Sequence, residues 1–346
     1  MDSGDILVVG GEDIRELLDG QEAAVLEAVR GAYLAHARGL SSLPHSIFLR
    51  FPGRNADRII ALPAFLGDGF EVAGLKWIAS FPGNLELGMA RASAVLILNS
   101  CATGRPEAIL EGSLISAART AASAATAAAA LLGGRPPERV GLIGTGLINL
   151  EIARFLRAAL PGTARFLLYD LEPARAGRAA ATLRQAASGG TGGVEAVVAT
   201  DVGEVLSGCP LISFATTATK PHVADLSSCR RGAVILHVSL RDLTPQALLA
   251  CDNIVDDPDH VCRAETSAHL AEQLTGSRGF IRCTLADILD GHAAPRRDDE
   301  SIAVFSPFGL GVLDLAVGKL VRDRALAGGR STLIRSFQPS SGSQGS

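Results

Sequence analysis

The chain has 346 residues, 47% of them hydrophobic and 20% charged, with a formal net charge of -4. That length and apolar content suit two domains, each with its own core, and the mildly acidic balance without a basic run excludes the electrostatic footprint of a nucleic-acid binder. No continuous apolar stretch reads as a membrane span, and Met1-Asp2-Ser3-Gly4-Asp5 lacks the positive start and apolar core of a secretory signal. A cytoplasmic protein with no membrane attachment is expected. The six cysteines (Cys101, Cys209, Cys229, Cys251, Cys262, Cys283) include no CxxC pair, so reduced thiols are expected rather than disulfides or structural zinc. His260, Cys262 and His269 lie in a polar stretch read as a solvated loop, and no metal is expected.

Taken in chain order, apolar residues at three- and four-residue intervals predict a helix over 25–35. Short β-rich runs at 46–50, 58–62, 72–78 and 94–98, separated by Pro-Gly and Gly-Asp-Gly turn chemistry, predict strands of an antiparallel or mixed sheet, with a further strand at 107–110. The first third is therefore α+β. An alanine-rich stretch over 113–132, with Ser113 as its N-cap and Gly133-Gly134 after it, reads as a long helix joining two domains. Beyond it, an apolar strand at 139–143, a helix at 147–159 and a strand at 165–169 make a βαβ unit. Strand candidates at 194–198, 211–215, 233–238 and 253–255 alternate with helical segments, which is the pattern of an α/β domain with a doubly wound parallel sheet. A helix over 312–326 is read as returning to the first domain, and 338–346 is read as a disordered, removable tail.

Gly144-Thr145-Gly146 stands where the first strand turns into its helix, the place where a Rossmann domain brings a pyrophosphate to backbone N–H groups at the positive end of a helix. Asn149 occupies the position of the fingerprint's third glycine. Asp170 ends the next strand and is placed to accept the hydroxyls of an adenosine ribose, which favours NAD over NADP because its charge would repel a 2′-phosphate, although Arg175 lies close by. Of the 32 basic residues only Lys76, Lys220 and Lys319 are lysines. Lys76 interrupts the apolar Gly74-Leu75-Lys76-Trp77-Ile78 strand, and a buried lysine is unusual unless paired or functional. Arg119 lies early in the alanine-rich helix, where guanidinium and helix dipole together suit a carboxylate. Asp242 follows the strand ending at Val238, near the ligand-binding edge of such a sheet.

Together, Gly74-Leu75-Lys76-Trp77, Asn99, Glu111-Gly112-Ser113-Leu114-Ile115-Ser116, Arg119-Thr120-Ala121-Ala122, Gly144-Thr145-Gly146-Leu147-Ile148 and Phe308-Gly309 resemble the ornithine cyclodeaminase/mu-crystallin family across nearly the whole chain. Asp57-Arg58-Ile59-Ile60-Ala61-Leu62-Pro63, Arg91-Ala92-Ser93 and Asp298-Asp299-Glu300 look like its 2,3-diaminopropionate-forming branch. The resemblance implies a substrate-binding and dimerisation domain from 1–118 and 313–337, an NAD-binding Rossmann domain over 119–312, and a homodimer. It implies substrate contacts from Arg50, Lys76, Arg91 and Arg119, with Lys76 and Asp242 catalytic. Cofactor contacts would come from Arg119, Gly144, Thr145, Gly146, Leu147, Ile148, Asp170, Thr216, Ser239 and Phe308. The implied activity is NAD-dependent cleavage of N-(2-amino-2-carboxyethyl)-L-glutamate, supplying a siderophore or peptide-antibiotic pathway. An ornithine or lysine cyclodeaminase and a mu-crystallin-like ligand-binding protein are the alternatives. Pro44-His45-Ser46 replaces the family's Pro-x-Arg element, and Ile60 stands where ornithine enzymes carry an acid for the distal amine. Four basic groups match a small tricarboxylate amino-acid conjugate better than they match ornithine.

Overall fold

The computed structural model describes residues 4–186 and 193–339, so 340–346 of the expected tail lie outside the described residues. The chain divides into two compact units, Met1–Arg119 with Leu310–Ser346, and Thr120–Gly309.

The first unit runs β1 (Ile6–Val9), α1 (Gly11–Leu18), α2 (Glu22–Ala37), β2 (Ser41–Ser42), β3 (Ile47–Phe51), β4 (Arg54–Leu66), β5 (Val72–Ser80), β6 (Ala92–Asn99) and β7 (Pro106–Glu111). It then enters α3 (Gly112–Leu131). Its sheet has the order β16-β1-β7-β6-β5-β4-β2, with β3 on β4 and β16 (Thr332–Ile334) supplied by the C-terminal end. All pairings are antiparallel except that of β1 with β7. β1, α1 and β16 escaped the sequence reading because they are short. Gln338 also departs from the tail reading: its N–H donates to Gly4 O at 3.0 Å and its side-chain amide to Pro106 O at 3.0 Å.

Strand alternation gives this sheet two chemically different faces. On one, Leu66, Val72, Leu96, Leu98 and Leu110 are buried. This face is covered by a second chain-end element, α11 (Gly311–Gly328), which packs on β4, β5 and β6 and against α2. The approach of α11 is so close that a Cβ on Gly74 would meet Ile97 O at 2.2 Å and Leu315 Cδ2 at 2.8 Å, and one on Gly318 would meet Leu96 Cδ2 at 2.3 Å. On the other face, Ile47, Leu49, Trp77 and Val95 are exposed. The cross-strand register Ile47–Ala61–Trp77–Val95 makes Ile47, Trp77 and Val95 one apolar row, with Leu49 in the neighbouring row Leu49–Ile59–Ala79.

In α3 the first turn is capped differently from expectation. Glu111, rather than Ser113, accepts the N–H groups of Ser113 at 2.8 Å and Leu114 at 3.0 Å, because two carboxylate oxygens reach two orphan donors at once. Contrary to the reading that nothing in the chain suits a membrane, α3 is long and apolar enough to cross one, but 78% of its apolar window is buried inside the protein.

The second unit is the α/β domain. Its elements are β8 (Val140–Ile143), α4 (Leu147–Ala159), β9 (Arg165–Tyr169), α5 (Pro173–Ala186), β10 (Glu195–Val198), α6 (Val202–Gly208), β11 (Leu211–Phe214) and β12 (Val234–His237). There follow α7 (Pro245–Leu249), β13 (Asp252–Val255), α8 (Pro258–Val261), α9 (Ser267–Thr275), β14 (Ile281–Thr284), α10 (Leu285–Leu289) and β15 (Ala303–Ser306). All pairings in this eight-stranded sheet are parallel, in the order β10-β9-β8-β11-β12-β15-β13-β14. The chain winds outward from β8 to β10, then reverses to β11 on the other side of β8, which creates a topological switch point at the carboxyl ends of β8 and β11. His260 and Cys262 are buried here rather than solvated, and burial pushes the Cys262 thiol up to about 11. All six cysteines are free.

Two glycine substitutions should act with opposite sign. Gly74→Ala forces a Cβ into backbone and helix, and should cost roughly 1–3 kcal/mol. Gly177→Ala sits inside α5 with nothing within 4 Å and should gain about 0.5–1 kcal/mol. Chemical denaturation midpoints of the two variants, compared with the parent, check both.

Candidate active site

Lys76 is on the covered face of β5, 3% exposed, and needs a counter-charge to be there. Asp314, in the first turn of α11 and fully buried, supplies it: Lys76 Nζ lies 2.7 Å from Asp314 Oδ2, and Arg119 Nε donates to Asp314 Oδ1 at 3.0 Å. Ser116, one helical turn before Arg119, is 3.1 Å from Lys76 Nζ and 3.2 Å from the Arg119 guanidinium. Two residues singled out in the sequence are thus brought together by two that were not. Burial lowers the Lys76 ammonium, the neighbouring Arg119 charge lowers it further, and Asp314 opposes both, leaving it at about 8. Lys76 is therefore able to exchange a proton near neutral pH.

Arg50 and Arg91 lie further along the same sheet face. Arg50 is paired across the strands with Arg58, and Arg58 with Ser80, whose hydroxyl accepts from Arg91 Nε at 3.3 Å. Ser80 is four residues from Lys76 on β5, about 13 Å at roughly 3.3 Å per residue. Between the two rows the register places Phe48, Ile60 and Ile78 side by side, with no acid among them. Arg50 and Arg58 thus stand directly opposite each other, with the Arg50 guanidinium 5.6 Å from the Phe48 ring centroid. Arg58 was legible as part of a strand pattern and of the Asp57–Pro63 motif, but not as a site residue. Burial lowers Arg91.

In the second unit, Gly144 has φ 79° and a Cβ there would meet Ala215 O at 2.6 Å, so the end of β8 is open only to glycine. Gly146 caps α4 without any side-chain cap, and a Cβ on it would stand in open space. The N–H groups at the start of α4, including those of Leu147 and Ile148, therefore face a cradle that suits a pyrophosphate. Asn149 fills the third-glycine position: its amide nitrogen donates to Ile143 O at 3.0 Å and Gly144 O at 2.6 Å, and its oxygen accepts from Ser213 Oγ at 2.7 Å. It fastens the turn to β11. Asp170 Oδ2 accepts the Thr145 N–H and hydroxyl, both at 2.9 Å, and Oδ1 accepts from Glu172 N at 3.0 Å with Arg175 at 3.4 Å. Partial burial would raise this carboxyl, but these hydrogen bonds and the Arg175 charge outweigh it and hold Asp170 low. Arg175 is itself paired with Glu172 at 2.8 Å, which blunts its attraction for a further phosphate.

Asp242 follows β12 through a turn with Leu240 at φ 66°, a strained conformation for a leucine. It is fully buried, and its carboxylate accepts from Thr216 Oγ1 and Ser239 Oγ. His237 Nε2 lies 3.1 Å from the Asp242 backbone nitrogen and 3.5 Å from Asp242 Oδ2, and its Nδ1 lies 3.3 Å from Ser306 Oγ. Burial would raise Asp242, but the His237 ring and the hydroxyls of Ser239 and Thr216 overcome that and hold it below the usual carboxylate range. Thr216, Ser239 and Asp242 are thus brought together, bonded to one another. The Phe308 ring lies tilted against His260 with centroids 6.2 Å apart, and its loop is held by buried Asp256, which accepts the Gly309 N–H at 2.7 Å and is raised by burial to about 6. Among the described residues no group of His, Cys, Asp and Glu is arranged to hold a metal ion.

The model of the ornithine cyclodeaminase/mu-crystallin family matches residues 12–329. The chain belongs to that family. It is 26% identical over 327 residues to the N-((2S)-2-amino-2-carboxyethyl)-L-glutamate dehydrogenase of Staphylococcus aureus (strain NCTC 8325 / PS 47), covering 93% of this chain and 96% of the relative. Two solved structures share the fold. One is the Thermococcus litoralis Delta(1)-pyrroline-2-carboxylate reductase in complex with NADH and L-proline, at TM-score 0.86 and 24% identity over 94% of this chain and 99% of the other. The second is an archaeal alanine dehydrogenase dimer with bound NAD, at TM-score 0.83 and 24% identity over 96% and 99%.

The Asn149 clamp has a direct test. Asn149→Ala removes the acceptor of Ser213 Oγ and the side-chain donor to Gly144 O, while Ile143 O keeps the Ala215 N–H, and should lower stability by roughly 1–3 kcal/mol. Calorimetric unfolding of the variant reads the loss.

Proposed function

We propose that this chain, an NAD-dependent oxidoreductase of the family, oxidises the secondary amine of an amino-acid conjugate bearing several carboxylates, with N-(2-amino-2-carboxyethyl)-L-glutamate as the substrate. The observation that carries the substrate class is the distribution of charge on one sheet face. A site for one carboxylate stands at Lys76 and Arg119, an apolar Phe48–Ile60–Ile78 row follows, and a second cationic row stands at Arg50, Arg58 and Arg91. Ornithine would bring an ammonium to that second row and be repelled. The tricarboxylate conjugate brings carboxylates to both.

Bound NAD supplies the hydride acceptor, held by the β8–α4 turn, with Asp170 toward the adenosine ribose. Arg119 binds the substrate carboxylate through charge-assisted hydrogen bonds. Neutral Lys76 accepts the proton of the substrate's ammonium nitrogen, so that loss of hydride from the glutamyl Cα gives a protonated imine. Water adds to that carbon, its protons pass to the departing nitrogen as the C–N bond breaks to yield 2-oxoglutarate and 2,3-diaminopropionate, and Lys76 gives the proton it took to solvent. The balance is substrate, NAD and water giving two products, NADH and one proton. Lys76 is the better proton acceptor than Asp242, since a carboxylate must first give up hydrogen bonds from Thr216 and Ser239 before it can take a proton. Asp242 is assigned to holding the turn after β12 and, through Thr216 and Ser239, the edge that the cofactor contacts.

Assembly belongs to the same reading. A second copy of the chain is proposed to cover the exposed row of Ile47, Trp77 and Val95, since a contiguous apolar sheet face is costly to leave in water. Ile47→Glu should convert a dimer to a monomer in analytical ultracentrifugation; a parent that sediments as a monomer would overturn this.

Two kinetic outcomes are expected. Incubation with NAD and the synthetic conjugate should release NADH in step with 2-oxoglutarate. Release of ammonia from ornithine without net NADH would instead make the protein a cyclodeaminase. Because Lys76 loses its proton above about 8, kcat/KM should fall as pH drops below that value. Lys76→Met should lower the rate by on the order of 100-fold and abolish that limb. Asp242→Asn should retain the limb; its loss in that variant would return the proton-accepting role to Asp242.

A further inference from the structure

Asp314 has no role in the reaction as described, yet it is the group on which the substrate cations converge. It is completely buried, comes from the opposite end of the chain, and uses one oxygen for Lys76 and the other for Arg119. Beyond these two cations, the Ser116 hydroxyl joins the cluster from α3, while the strands on either side of Lys76 present Leu62 and Leu96. Among the described residues, the charged groups acting on Lys76 are Arg119 and Asp314. Without Asp314, two buried positive groups would stand beside each other with nothing between them, and the ammonium would discharge or swing away. With it, the protonated cluster carries a single excess positive charge, which one substrate carboxylate neutralises.

We propose that Asp314 is the positioning residue of the substrate site, fixing Lys76 Nζ and Arg119 in one geometry and setting the site to receive one carboxylate while Lys76 remains able to trade its proton. This rests on the reading of Lys76 as proton acceptor, but its geometry is independent of which amine is oxidised.

The presence of only three lysines makes a test free of turnover possible. In protein labelled with 13C-lysine, the Lys76 Cε resonance is identified by its loss in Lys76→Met and followed against pH. In the parent it should titrate at about 8. In Asp314→Asn, which keeps size and shape, the midpoint should fall by about 1 unit or more, and Asp314→Glu should restore most of the shift. Arg119→Gln, which leaves Asp314 to Lys76 alone, should move the midpoint above the parent's. That variant keeps the proposal testable should Asp314→Asn fail to fold. An unchanged midpoint in either Asp314→Asn or Arg119→Gln would overturn it. Kinetics of the same variants separate the two readings: KM for the conjugate should rise about tenfold in Asp314→Asn and the kcat/KM limb should follow the resonance. A resonance that shifts while the limb stays fixed upholds Asp314 and removes Lys76 from proton transfer.

Discussion

The first unit is organised around the burial of three charged side chains at one point, Lys76, Arg119 and Asp314. Taking an ion out of water costs several kcal/mol even after relaxation, and a buried pair seldom repays this better than apolar packing does. Such a cluster is therefore poor evidence of stability. Its consequence is geometric. Asp314 can reach Lys76 and Arg119 only if the chain returns from the second unit and lays α11 across the first sheet, and α11 can come so close only because Gly74 and Gly318 carry no side chain. The discontinuous unit, the close-packed helix and the ionic cluster are three descriptions of one constraint. The position of Asp314 in the first turn of α11 also sets its negative charge at the favourable end of the helix dipole.

How much of this was legible in the sequence depends on the distance over which each signal acts. The βαβ unit and Gly144-Thr145-Gly146 were readable because strand, turn and helix are adjacent in the chain. Lys76 stood out because a lysine interrupts an apolar strand. Asp314 did not, because 238 residues separate it from Lys76 and it sits in a helix buried nearly all round, where no polar stripe marks one face. Asn149 appeared as a missing glycine, and only its bonds to Ile143, Gly144 and Ser213 reveal a clamp. Asp242 was visible as a carboxylate at the right edge of a sheet. That Ser239, three residues before it, and Thr216, 26 residues away, had already claimed its oxygens depends on how the turn after β12 meets the end of β11, which spacing does not encode.

The two faces of the first sheet carry the last step. In β5 the alternation places Lys76 inward and Trp77 outward, and in β4 it places Ile60 and Leu62 inward with Ala61 between them. The chemistry of the site and the apolar outer row are therefore written in alternate letters of the same strands, and a one-residue slip would exchange them. The row of nine register pairs between β4 and β5 makes such a slip costly. It also means that the two faces cannot drift independently: any change that moves β5 at Lys76 also moves Trp77 and its neighbours. The cationic row at Arg50, Arg58 and Arg91 stands at the far end of those strands, so under the proposed function its spacing from Lys76 and Arg119 would be the place where a site for a different substrate could vary without disturbing the ionic cluster or the outer row.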